Sequence, residues 1–346
     1  MNKALKPTEA LEALISGRDL SENEATELLR DMASGELAPA VAGGLLVALR
    51  VKGETAGEIR GFALAMRELA RRPAIPTGPD YVDIVGTGGD GSSSLNLSSG
   101  SALLAAACGL QVVKHGNRSV TSQSGSADVL AGLGLPVPLD EQAAGRCLAE
   151  TGFTFLFAPH YHPAMKHIAP IRVGLGIRTV FNILGPLVNP AEPPYHVIGA
   201  ASEAVAALMA DTLAGMSIKR AFVIHGASGW DEATPIGPFS CYDVRDGEIQ
   251  RSVRDPLDYG LKVCTEDDLR GQDAASNAAR LRAALNGADS DAHRAALILG
   301  AALALEVTGS VDTLQSGIER ASQALADGSG SSLLARIDAF AREAAH

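Results

Sequence analysis

The chain has 346 residues, 46% hydrophobic but only 4% aromatic, so Ala, Leu, Val and Gly must build its core, and the length leaves room for two structural units. A formal net charge of -11 argues against a nucleic-acid surface, which needs clustered Lys and Arg, but not against a local anion site. Four scattered cysteines (Cys108, Cys147, Cys241, Cys264) without CxxC read as reduced thiols of a cytoplasmic protein; no signal-peptide apolar segment opens the chain, and the apolar run near 295–307 is too broken to span a bilayer.

Residues 1 to about 73 read as helices. Ser21-Glu22-Asn23-Glu24 predicts a capping box opening a helix that ends near Gly35, and Gly53 separates helices over 39–51 and 54–72. These few helices, each with one apolar stripe, must pack on something further, such as a second subunit. From Tyr81 short β-rich runs (82–85, 110–113, 153–157, 196–198, 221–224) alternate with helical stretches, which predicts a mostly parallel sheet with helices on its faces. Segments 239–244 and 248–253, joined by Asp246-Gly247, predict a hairpin, and the tail from Asp273 reads as helices broken at Gly287, Gly309 and Gly328.

The first strand runs directly into Gly86-Thr87-Gly88-Gly89-Asp90-Gly91, and a helix opens near Ser98-Ser99. Strand, glycine loop and helix N-terminus form a phosphate cradle: glycines allow close backbone approach, and free N–H groups with the helix dipole favour negative charge. The spacing also satisfies GxGxxG, but a dinucleotide site needs an acidic residue at the end of the next strand. Here that strand ends in Lys114-His115-Gly116-Asn117-Arg118, whose cations suit a second phosphate and are expected to converge. The run 119–126, rich in hydroxyls and free of acids, suits an anion cradle, as it would an ordinary solvated loop.

Asp231-Glu232 follows the strand over 221–224, where adjacent carboxylates at a sheet edge can share Mg²⁺ ions bridged by pyrophosphate. Trp230, the single tryptophan, directly precedes them, so ordering of that turn around a metal is expected to change its burial. His160, His162 and His167 lack a Cys or carboxylate companion and make a poor zinc set. Arg172 and Arg178 flank a glycine-containing turn, where an arginine can grip a carboxylate bidentately; 182–186 reads as a rigid turn able to wall a flat pocket.

DIVGTGGDG from Asp83, KHGNRSV, SGSADVL, HPAMK, IRTVFNILGPLVNP and the Asp-Glu pair, in this order, resemble the anthranilate phosphoribosyltransferases through about residue 310. The resemblance implies an α/β fold of the nucleoside phosphorylase and phosphoribosyltransferase type. A small all-helical N-terminal domain (1–74, joined by helices from about 163–190) would precede a larger α/β domain (75–346) with a mostly parallel central sheet and surrounding helices. It also implies a homodimer through the N-terminal helices and Mg²⁺-dependent transfer of phosphoribose from phosphoribosyl pyrophosphate (PRPP) to the amine of anthranilate. PRPP would lie on Gly86, Gly89, Asp90, Ser94, Asn96, Leu97, Ser98, Ser99, Lys114, His115, Gly116, Asn117, Arg118, Ser119, Val120, Thr121, Ser122 and Ser126. Ser98, Asp231 and Glu232 would hold magnesium, expected as two ions. Arg172, Asn117 and His115 would position the acceptor beside Gly86, with His162 and Pro186 lining its approach; no acid–base residue is implied. This chain differs from the family pattern at Ser94, Gln123, Trp230, Gln272 and around Leu299-Gly300. A relative with another aromatic acceptor, or a pyrimidine nucleoside phosphorylase of the same architecture, is the alternative. A nucleic-acid-binding relative would have lost the GTGGD loop and gained basic charge.

Overall fold

The structure, a computed structural model, describes residues 5–76, 78, 80–118 and 124–344. Four helices come first: α1 (Pro7–Ile15), α2 (Glu22–Ser34), α3 (Pro39–Lys52) and α4 (Ala56–Glu68). The predicted capping box is present, with the Ser21 hydroxyl accepting from the Glu24 amide and the Glu24 carboxylate accepting from the Ser21 amide; Gly35 ends α2 in the left-handed region. A second box, Thr55 with Glu58, opens α4, and the fully buried Glu58 pairs with Lys52 at 3.0 Å.

Then follow β1 (Tyr81–Gly86), α5 (Leu97–Ala107), β2 (Gln111–Gly116), α6 (Ser126–Gly132), α7 (Glu141–Thr151), β3 (Phe153–Phe157), α8 (Ala158–Tyr161), α9 (Met165–Leu175), α10 (Phe181–Leu184), β4 (Tyr195–Gly199), α11 (Glu203–Ala214) and β5 (Arg220–His225). The chain closes with β6 (Phe239–Arg245), β7 (Glu248–Arg254), α12 (Ala274–Leu285), α13 (Asp291–Val307), α14 (Leu314–Ala326) and α15 (Ser329–Ala344). The seven strands lie in the order β3-β2-β1-β4-β5-β6-β7, parallel from β3 to β5 and antiparallel across β5–β6 and the β6–β7 hairpin.

Period-two alternation sends the two sides of each strand into different cores. Val82, Ile84, Val112 and Phe222 pack under α5, α13 and α15; Val223, Ile198 and Ala221 pack with Phe62, Met66, Leu184 and Leu213 under the N-terminal helices. Segments α9 and α10 pack on α2, α3 and α4. The carboxyl ends of β1, β2, β4 and β5 open on one edge, where a crevice in an open α/β sheet takes its ligand.

Candidate active site

At that edge the glycine loop leaves β1 and α5 begins. Asn96 is the cap residue of α5, yet its side chain makes no capping bond, so the N-terminal amides are not covered by their own cap. The turn carrying Asp231 and Glu232 folds across from β5 and meets the loop. Asp231 accepts from the Gly88 amide at 2.6 Å, its own amide donates to Asp90 at 3.3 Å, and Ser94 donates to Glu232 at 3.4 Å. The fit depends on glycine: a Cβ on Gly199 would stand 1.4 Å from the Asp231 carbonyl oxygen, and one on Gly86 2.3 Å from its Oδ2.

Carboxylate oxygens of Asp90, Asp231 and Glu232 lie within 4.8 Å of one another, the only such acid, His or Cys cluster of three among the described residues. Burial, then the Asp90 charge, pushes the Asp231 carboxyl up to about 7; burial, then Asp231 and Asp90, raises Glu232 well above the usual carboxylate range. Three hard oxygen donors that cannot all ionise without a compensating charge fit a divalent cation such as Mg²⁺. The Ser98 amide faces Glu232, and a cavity of about 30 Å³ beneath Asp231 and Glu232, lined in part by Ser98 and Ser101, has room for one water-sized occupant. The expected ligand set thus gains Asp90, whose approach to the pair from 141 residues away no sequence pattern signals.

The cationic segment departs from expectation. β2 continues to Gly116 rather than stopping at Val113, so Lys114 and His115 point to opposite faces and do not converge with Arg118. Lys114, buried, donates to the Ile84 carbonyl at 2.5 Å and to Ser98 Oγ at 3.5 Å; burial lowers its pKa against the pull of Asp83, Glu232 and Asp231. It therefore serves the carboxylate side. On the other face His115 Nδ1 meets the Gly185 carbonyl at 3.1 Å and so carries a proton, which leaves its Nε2 to accept from His162 Nε2 at 3.2 Å. Burial holds these imidazoles at about 3 and about 4, neutral near pH 7. Arg118 is exposed, turned to Asp128 at 3.4 Å, and Asn117 is exposed, its side chain accepting from the Arg118 amide.

Ser99 and Pro186 are buried, and the Ser99 hydroxyl has no hydrogen-bond partner among the described residues; Ser126 opens α6. Ser119, Val120, Thr121, Ser122 and Gln123 lie outside the described residues. Arg172 on α9 stacks 5.3 Å over the Phe181 ring, and burial lowers its pKa. No carboxylate pairs with it among the described residues, which leaves its guanidinium available to an acidic ligand. The three histidines considered for zinc are apart in role: His160 faces Glu141 at 3.3 Å, His162 pairs with His115, and His167 lies against Gly35. Two contacts had no sequence signal. Arg178 donates to the Gly89 and Gly88 carbonyls at 3.1 and 3.2 Å while its own carbonyl accepts from Arg50, tying the glycine loop to α3; Asn277 reaches Asn96 from α12 at 3.0 Å.

Two family models match the chain: the helical bundle domain of a glycosyl transferase family over residues 8–70 and the a/b domain of that family over 78–331. An anthranilate phosphoribosyltransferase of Methylobacterium nodulans is 44% identical, over 94% of this chain and 96% of its own length, and one of Desulforudis audaxviator is 44% identical over 98% and 97%. The crystal structure of that enzyme from Thermus thermophilus superposes with a TM-score of 0.90 at 41% identity, covering 96% of this chain and 99% of its own. The Saccharomyces cerevisiae enzyme in complex with PRPP and Mg superposes at 0.88 with 25% identity, covering 97% and 98%. With its carboxylate cluster, glycine loop and full-length likeness to these proteins, the chain belongs to the anthranilate phosphoribosyltransferase family.

Proposed function

We propose that this chain transfers the phosphoribosyl group of PRPP to the amine of anthranilate, giving N-(5-phosphoribosyl)anthranilate and pyrophosphate in tryptophan biosynthesis. The observation that carries the reading is the meeting of Asp90, Asp231 and Glu232 with the N-terminus of α5 at the carboxyl edge of the sheet. That arrangement suits a magnesium-bound diphosphate: acids for the metal, amides and a helix dipole for the anion. Asp231, Glu232 and Ser98 would hold magnesium, two ions in our reading, with Asp90 completing the cluster; when bound, the metal neutralises charge on the departing pyrophosphate.

The remaining chemistry asks for little acid–base help. The aniline nitrogen is neutral at pH 7 and nucleophilic as it stands. As its bond to ribose C1 forms, the C1–O bond breaks, the electron pair leaves with pyrophosphate, and the nitrogen's surplus proton passes to solvent. Gly86, Gly89 and Ser94, with Asn96 to Ser99, frame the diphosphate, and Lys114 adds positive charge beneath it. Arg172 grips the anthranilate carboxylate, while His115, His162, Asn117 and Pro186 shape the acceptor side. Both imidazoles are neutral near pH 7, so they act as polar walls rather than proton donors.

We divide the chain into a helical unit (1–74 with about 163–190) and an α/β unit (75–346), and place the protein in the cytoplasm; free Cys108, Cys147, Cys241 and Cys264 support a reducing compartment. Among the described residues no helix is long and apolar enough to cross a membrane. Two copies would pair through the helical unit, where α1, α3 and α9 line an open groove of about 1100 Å³. Loss of anthranilate fluorescence that needs both PRPP and Mg²⁺, with pyrophosphate released one for one, is the expected result. Turnover with phosphate and a nucleoside, but not with anthranilate, would replace this reading.

A further inference from the structure

Asn96 should cap α5 and does not. An Asn at this position ordinarily turns its side-chain oxygen onto the amide two or three residues on. Here the third amide, Ser99, bonds the Asn96 carbonyl, and the second, Ser98, faces Glu232. The Asn96 side chain is drawn elsewhere: its Oδ1 accepts from Asn277 Nδ2 at 3.0 Å and from Ser124 Oγ at 2.8 Å, and its Nδ2 donates to the Ser124 carbonyl at 3.3 Å. Asn277, only 1% exposed, also donates to Ser124 Oγ at 2.8 Å, and its Oδ1 accepts from the Gln272 amide at 2.7 Å. One buried amide therefore joins the cap of α5, the end of the loop that follows β2 and the segment before α12. The backing is close: a Cβ on Gly271 would meet the Ser94 carbonyl oxygen at 2.6 Å and Asn277 Nδ2 at 2.9 Å.

We infer that Asn277 is a positioning residue for PRPP: it holds the Asn96 side chain off the N-terminus of α5, keeping the Ser98 amide free for Glu232 and the incoming diphosphate. Without that hold, the Asn96 backbone, now at φ -7° and ψ 58°, can relax to the extended geometry of an ordinary cap and bring Oδ1 to the capping position. Oδ1 then competes with both anions for the same donor. Asn277 touches neither substrate and acts only through Asn96 and Ser124. The inference rests on the PRPP reading above.

The test uses the full chain with PRPP, Mg²⁺ and anthranilate. Asn277→Ala should raise KM for PRPP by about 5- to 30-fold, the worth of a capping interaction of one to two kcal/mol, and weaken inorganic pyrophosphate binding in parallel by calorimetry. KM for anthranilate and kcat should stay within about twofold, because the acceptor side is untouched. Ser124→Ala removes one hold on Asn96 with little change in volume and should shift KM for PRPP the same way by less. It decides the matter if the Asn277 variant does not fold. Unchanged KM for PRPP in folded variants, or equal changes in both KM values and kcat with a fall in Tm, would overturn the inference. A wild-type chain without turnover on anthranilate would instead overturn the assigned activity, and pyrophosphate binding would still report on the clasp.

Discussion

Asp231 and Glu232 repel each other in a place with little water, and that sets a pH dependence. The Asp231 carboxyl rises from 3.8 to about 7 through burial first and the Asp90 charge second. Its protonated form favours the metal-free fold, so that contribution is fully present below about 3.8 and is lost as pH rises through about 7. A bound cation reverses the penalty, because it needs the ionised form. Mg²⁺ with pyrophosphate should therefore raise Tm more at pH 8 than at pH 6, and Asp231→Asn with Glu232→Gln should abolish both the shift and turnover. Equal shifts at the two pH values in differential scanning fluorimetry would remove the three acids from metal binding. Arg172, proposed to grip the acceptor carboxylate, makes the matching case. Truncating a charge-assisted bidentate donor costs about 2–3 kcal/mol, so Arg172→Ala should raise KM for anthranilate roughly 30- to 150-fold and KM for PRPP far less. Arg172→Lys should recover only part, since an ammonium lacks the planar fork. Equal effects on both substrates would point to a role in holding Phe181.

Elements were legible in the sequence wherever one kind of residue repeats. Five parallel strands, the hairpin and the capped α2 follow from β-rich runs, Asp246-Gly247 and the Ser21 box. β2 runs past its expected end at Val113 because a buried Lys and His there look like a loop until Ile84, Ser98, Gly185 and His162 supply their partners. Asp90's place in the acid cluster, the Arg178 clamp and Asn277 come from contacts between distant segments, which local pattern does not encode. Trp230 shows the same limit: at 3% exposure it already lies in the sheet's core, so ordering of its turn has little indole left to bury. Its substance is packing, and Trp230→Ala should cost about 3–5 kcal/mol of stability in chemical denaturation; a loss below about 1 kcal/mol would mean the turn folds without it. The glycine loop and the acid turn are one unit through Gly86. Gly86→Ala pushes a methyl into Asp231 Oδ2, and misplacing a positioning group, here a proposed metal ligand, costs about 10²-fold in rate, so activity should fall on that scale while the fold persists by circular dichroism. Full activity would show that the acid turn moves freely against β1.

At the scale of the whole molecule, the helical face turns apolar side chains to solvent. Ile15, Val51 and Val173 are 66%, 81% and 81% exposed, and Ile15 and Val51 line the groove beside Leu11, Val47 and Leu175. Scattered apolar residues are ordinary on a surface, but a connected patch of this size is an interface signature, and a second copy offers the same patch about a two-fold axis. α9 joins this face to the chemistry: Ile171, Gly174 and Leu175 face the groove, and Arg172 is their neighbour on the same helix. Pro170 inside α9 removes one backbone hydrogen bond, so packing on both sides has more to do in fixing the helix. Ile15→Asp with Val51→Asp, both lining the groove, would place unpaired charges in the proposed interface, a penalty of several kcal/mol that should weaken self-association by more than about 10²-fold. If two copies pair there as proposed, sedimentation velocity should show a dimer for the wild type and a monomer for this variant. As α9 loses one support, KM for anthranilate should rise before KM for PRPP, because the proposed diphosphate cradle stands on β1, α5 and the acid turn instead. An unchanged dimer would place the interface on another face; a monomer with unaltered KM for anthranilate would show that α2, α3 and α4 alone hold Arg172 in place.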